Sequence, residues 1–114
     1  SFEFEGESGM KKMDAIMDTF RNNIPKDIAG VKILEVRDYE TSTQTNLATG
    51  EKKPIDLPKS NVIKYILEGN SSAVLRPSGT EPKLKLYLAI SSENEASARE
   101  LESKISNEVK KSLA

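Results

Sequence analysis

Residues 83–90 place the tightest limit on the fold: Leu84, Leu86, Leu88 and Ile90 alternate with Lys83, Lys85, Tyr87 and Ala89. A period of two describes a strand with one apolar and one polar face. Such a strand needs neighbours for its backbone and a cover for its apolar side. The neighbours can be read from the preceding sequence. Residues 62–67 are strand-like, Gly69 and Asn70 supply a turn, and residues 72–76 follow as a partner strand. Residues 31–39 read as a further strand, in which Ile33 and Leu34 break the alternation and mark a bulge or burial on both faces. Residues 1–5, around Phe2 and Phe4, suit a short strand. From 40 to 53 the chain is polar, with a turn signal at Thr49 and Gly50. A small hairpin and an exposed excursion fit that stretch equally well.

The cover comes from two helical segments. Met10, Met13, Ile16, Met17, Phe20 and Ile24 recur at spacings of three and four, with Lys11, Lys12, Asp14, Asp18 and Arg21 on the other side. Asn22, Asn23 and Pro25 end this helix. Ser92 and Glu95 have the spacing of a capping box, and Ala98, Leu101, Ile105 and Val109 line one face of the helix that follows. The order is strand, helix, several strands, helix. Short connections make the strands antiparallel, and two one-faced helices must pack on that sheet. The expected fold is α+β: an antiparallel sheet with two helices on one face, within one domain spanning residues 1–114.

Composition removes several function classes. With no cysteine and no histidine, the chain lacks a thiolate, a disulfide framework and the commonest general base and metal ligand. Charged residues make up 31%, yet 17 basic and 18 acidic residues leave a net charge of −1. That balance argues against a nucleic-acid partner, which calls for a basic excess or a basic face. No apolar run approaches the ~18–20 residues of a membrane span, and nothing at the start resembles a signal peptide. The expectation is a cytoplasmic protein with neither membrane nor nucleic acid as partner.

The segment Arg76-Pro77-Ser78-Gly79-Thr80-Glu81-Pro82-Lys83, between two strands, carries the chemistry. Pro77 holds Arg76 extended, so its side chain leaves the strand end in a defined direction. Gly79 allows a tight turn and a close approach to its N–H. Ser78 and Thr80 flank it with hydroxyls, and Pro82 restrains Glu81. A concave row of N–H groups and hydroxyls beside a guanidinium is a phosphate cradle, and arginine offers two phosphate oxygens a planar fork. The plainer reading is an ordinary turn, with Arg76 paired to a surface carboxylate and Lys83 and Lys85 solvating an exposed face. The segment is not a Walker-type loop, since GxxxxGK[ST] is absent.

Residues 76–85, RPSGTEPKLK, closely resemble the phosphate-binding loop in the last domain of the α-D-phosphohexomutases. The flanking LPKSNVIKYILEGNSSAVL and LYLAIS resemble the strands around that loop in bacterial members, and the early EGESGMKKMDAIMDTF resembles the start of the same domain. The resemblance covers essentially the whole chain. It implies a TATA-box-binding-protein-like α+β fold, an architectural likeness that carries no DNA binding. It also implies an isomerase of four domains around one cleft, interconverting sugar 1- and 6-phosphates (glucose or mannose phosphates) through an enzyme phosphoserine, with magnesium assisting. The fourth domain would clamp the phosphate that is not being transferred, in contact with the remaining domains of the parent enzyme. By residue match, Arg76, Ser78, Gly79 through its backbone and Thr80 would contact that phosphate, with Lys83 a weaker member of the set. The clamp would have to accept phosphate on either end of the sugar, because the bisphosphorylated intermediate turns end over end.

No Ser-His-Asn phosphoserine segment and no Asp-x-Asp magnesium loop occurs in the sequence. The expected catalytic residues and the magnesium ligands therefore belong to other domains. Gly6-Glu7-Ser8-Gly9 resembles the family's sugar-binding GExSG-H pattern, but it is shortened and no histidine follows. It reads as a strand-to-helix turn with Ser8 near the cap. The chain opens inside what reads as an entering strand, as a piece of a longer protein would. The rival reading is a free-standing regulatory module that binds a phosphorylated metabolite through the same loop. A nucleic-acid module would need basic residues interleaved with aromatics, and the three tyrosines and three phenylalanines show no such pattern.

Overall fold

The computed structural model describes residues 2–3, 9–78, 81–91 and 94–112. Its elements run β1 (Phe2–Glu3), α1 (Gly9–Asn22), β2 (Asp27–Ile28), β3 (Val31–Asp38), β4 (Thr43–Asn46), β5 (Lys52–Pro54), β6 (Ile63–Leu67), β7 (Ser71–Pro77), β8 (Lys83–Ala89) and α2 (Glu95–Ser112). The strands form an antiparallel sheet in the order β1-β8-β7-β6-β3-β4-β5, and β2 pairs with the start of β3. The α+β class and the order of its elements are as expected from the sequence. The polar stretch after residue 40 is a hairpin, β4–β5. Among the described residues, no helix is long and apolar enough to cross a membrane.

One face of the sheet is covered and the other is open. Ile63, Tyr65 and Leu67 of β6 lie in register with Leu75, Ala73 and Ser71 of β7, and all six are buried. Leu84 of β8 and Val36 of β3 join them, and both helices close over the same core through Met13, Met17 and Phe20 of α1 and Ile105 and Val109 of α2. Burying an apolar side chain of this size contributes roughly 1.5–3 kcal/mol. On the opposite face Lys64, Val74, Lys85 and Tyr87 stand in half-buried or exposed positions. The spacing of α1 is met as read, with Met10 left 37% exposed at its first turn. The broken alternation at Ile33 and Leu34 is a bulge: the β3–β6 register shifts between Ile33 and Glu35, leaving Leu34 exposed.

Two ends of the fold are tied by specific hydrogen bonds. Glu108 of α2 accepts one from the N–H of Ala29, in the two-residue β2–β3 loop where Ala29 and Gly30 have φ of 52° and 79°. Such a pair of positive φ values suits the twist of a tight hairpin. At the start of α2 the capping reading needs correction. The helix begins at Glu95, so the cap is Asn94, whose Oδ1 accepts from the Ser97 N–H at 2.8 Å. Ser92, like Ser8 at the start of α1, lies outside the described residues.

Candidate phosphate-binding site

The β7–β8 connection is built where the sequence puts it. Ser71, Ala73 and Leu75 alternate into the core, so Arg76 emerges on the open face and is exposed. Pro77, the last residue of β7, is opposite Leu84. The loop then closes on itself: the Ser78 N–H donates to the Lys83 carbonyl at 2.8 Å, and the Lys83 N–H donates to the Glu81 carbonyl at 2.8 Å. Closure uses the Ser78 N–H internally and leaves its hydroxyl as the group it can offer a ligand. Gly79 and Thr80, the other two residues of the expected cradle, lie outside the described residues.

The cations near the loop divide into two kinds. Lys83 Nζ is 3.0 Å from Glu81 Oε2, so its charge is balanced inside the loop. Arg76 has no such balance. Among the described residues no carboxylate pairs with it, so the surface ion pair of the plainer reading is not seen there. Its cross-strand partner in the β7–β8 ladder is Lys85, also exposed and also without an ion pair among the described residues. Side chains directly opposite in an antiparallel pair start about 4.5–5.5 Å apart, and like charges there are destabilising. In the sequence Lys85 entered only through the plainer reading, as a residue solvating an exposed face. Its relation to Arg76 comes from the strand register; the loop bounds read from the sequence, residues 77–82, would have paired Arg76 with Lys83 instead.

Arg76 and Ser78 also line an open cleft of about 370 Å³ at this end of the sheet, shared with Asp14 of α1 and with Ser60 and Asn61 just ahead of β6. The segment carrying Asn61 is held by Arg21 at the end of α1. Arg21 Nε lies 2.8 Å from Asp38 Oδ2, its Nη1 lies 2.9 Å from Glu40 Oε2, and its Nη2 donates to Asn61 Oδ1 at 2.8 Å. Asp38 Oδ1 in turn accepts from the Glu40 N–H at 3.0 Å. Beneath this network the Tyr65 hydroxyl donates to the Phe20 carbonyl, and burial pushes its pKa well above the usual tyrosine range. A larger cavity, about 630 Å³ and lined by Ile24, Ile33, Leu34 and Leu47, lies toward the opposite end of β3 from Asp38 and does not include the loop.

Among the described residues no group of three or more His, Cys, Asp or Glu could hold a metal ion. The described residues therefore offer no cluster of that kind for a magnesium ion.

The sequence model for "Phosphoglucomutase/phosphomannomutase, C-terminal domain" matches residues 5–107. The chain is 44% identical over 91 residues to the phosphoglucomutase of Staphylococcus saprophyticus, covering 80% of this chain and 16% of that protein. It is 47% identical over 92 residues to the phosphoglucomutase of Staphylococcus epidermidis, with the same coverage of 80% and 16%. Against that of Staphylococcus aureus it is 45% identical over 94 residues, 82% of this chain and 17% of the other. The chain thus spans about one sixth of the length of these curated relatives. No solved structure matches it. From residue 5 to residue 107, the chain belongs to the phosphoglucomutase/phosphomannomutase family as its C-terminal domain.

Proposed function

We propose that this chain is the phosphate-anchoring part of a phosphohexomutase, one that interconverts hexose 1- and 6-phosphates with magnesium bound elsewhere in the enzyme. Its loop would hold the phosphate that is not being transferred. Arg76 would grip two phosphate oxygens, the Ser78 and Thr80 hydroxyls and the Gly79 N–H would take others, and Lys85 would add a second charge. Lys83 would serve by closing the loop with Glu81. The observation that supports this best is the in-register pair of Arg76 and Lys85, two exposed cations without a carboxylate partner among the described residues. A phosphate dianion between them turns a repulsive pair into an attractive one.

The role is positional. Anchoring a remote phosphate fixes the other end of the sugar at the reacting centre, where the remaining domains would supply the phosphoserine and its base. No acid, base or nucleophile is required of this chain, and with no histidine it offers little of that kind. The enzyme would work in the cytoplasm, on glucose or mannose phosphates.

Titration of the chain with inorganic phosphate, followed by amide NMR, tests the reading. Shifts concentrated at Ser78, Gly79 and Thr80, absent from Arg76→Ala and weakened about tenfold or more in Lys85→Gln, are expected. A native chain whose spectrum ignores phosphate at millimolar concentration would return the loop to an ordinary turn.

A further inference from the structure

The cleft beside the loop carries polar groups that phosphate anchoring leaves unused. Asn61 is one, and chemistry settles its orientation. Arginine only donates hydrogen bonds, so the Asn61 atom 2.8 Å from Arg21 Nη2 is the carbonyl oxygen. The amide NH2 therefore faces away from Arg21, and among the described residues no acceptor takes it. Arg21 is itself held by Asp38 and Glu40, so Asn61 is positioned by a group with little freedom of its own. Asp14 lines the same cleft, exposed and without an ion pair among the described residues. Met10, at 37% exposure, adds apolar surface to that lining.

A bare phosphate is poorly served by this lining, because Asp14 repels it. A hydroxylated ring suits it better: an oriented NH2 donates to ring or hydroxyl oxygens, a carboxylate accepts from hydroxyls, and an apolar surface meets the C–H groups between them. The ring of a sugar esterified to a phosphate held by Arg76 and Ser78 lies within reach of the cleft those two residues also line. We propose that Asn61 and Asp14 bind the sugar of the anchored phosphosugar, so that this chain reads hexose hydroxyls as well as phosphate. The inference rests on the phosphate reading of the loop. It is compatible with either end being anchored, because a hexose carries an oxygen-bearing carbon next to its phosphate at position 1 and at position 6 alike.

The test uses a ratio of affinities, which separates the two readings. Dissociation constants of the chain for inorganic phosphate, glucose 1-phosphate and glucose 6-phosphate are measured for the native sequence, Asn61→Asp and Asp14→Asn. Asn61→Asp keeps an acceptor for Arg21 and replaces the NH2 by a charged carboxylate oxygen. The added charge weakens all three anions, so the ratio of their affinities reports the lost donor, and an unchanged melting curve confirms that the fold is held. Both hexose phosphates should bind the native chain about tenfold more tightly than inorganic phosphate, as one or two added hydrogen bonds allow. Both variants should bring that ratio close to one, and Asp14→Asn should tighten inorganic phosphate itself. The Asn61 side-chain amide signals should move with the hexose phosphates and stay in place with inorganic phosphate. A native ratio near one, or a ratio that neither variant changes, overturns the sugar contact and leaves the loop reading intact. Absence of binding by any of the three ligands overturns both.

Discussion

Tyr65 shows how a single hydroxyl makes the fold sensitive to alkali. Its ring is packed 6.3 Å from that of Phe20, and its O–H is used on the Phe20 carbonyl. Burial is the main reason its pKa is raised; the Arg21 charge lowers it and Asp38 raises it. In the unfolded chain the phenol ionises near pH ~10. The folded state resists that ionisation, so the Tyr65 contribution is complete below about pH 10 and is lost as the pH climbs toward the raised value. Tyr65→Phe should cost about 1 kcal/mol at neutral pH for the lost hydrogen bond. It should also flatten the fall of melting temperature between pH 9 and pH ~11, which a series of thermal melts would show. Arg76 is the opposite case, exposed and without an ion pair among the described residues. Arg76→Ala should leave the melting curve within about 0.5 kcal/mol of native.

The elements differ in how openly the sequence announces them. Asn94→Ala should destabilise the chain by about 1 kcal/mol, read as a shift in denaturant midpoint, because Asn94 supplies the side-chain cap of α2. The sequence offered Ser92 and Glu95 as a capping box, and only the helix start at Glu95 decides for Asn94. By contrast α1 was plain, since Met13, Met17 and Phe20 fall on one face and are buried there. The irregularity at Leu34 was legible in part: two apolar residues in succession meant a bulge or burial on both faces, and the register shift with Leu34 exposed decides for the bulge. The β4–β5 hairpin was not legible. Thr43 to Asn46 and Lys52 to Pro54 are half-buried or exposed throughout, so no apolar rhythm marks them. The same limit applies to the site. The loop stands out in one run of residues, whereas Lys85 joins Arg76 through strand register, and Asp14 and Asn61 reach the cleft through packing. Local spacing records none of those three relations.

For a whole enzyme the proposed anchor would be a question of kinetics. In an intact phosphohexomutase, Arg76→Ala should raise KM and lower kcat together. A charge-assisted bond of roughly 1.5–3 kcal/mol corresponds to a loss in kcat/KM of about tenfold to a hundredfold. Steady-state assays with glucose 1-phosphate would show it, and unchanged constants would remove Arg76 from the site. The cleft has a further consequence, for when it comes into being. Its lining is drawn from Asp14, Asn61, Arg76 and Ser78, positions far apart in the chain and joined only once α1, β6 and β7 are packed. A peptide bearing residues 76–83 alone would lack the strand register and the cleft wall, and should not retain phosphate. Ligand would thus be a sensor of completed folding: it binds only chains whose distant segments have met, and withdraws them from the unfolding equilibrium in proportion to its concentration.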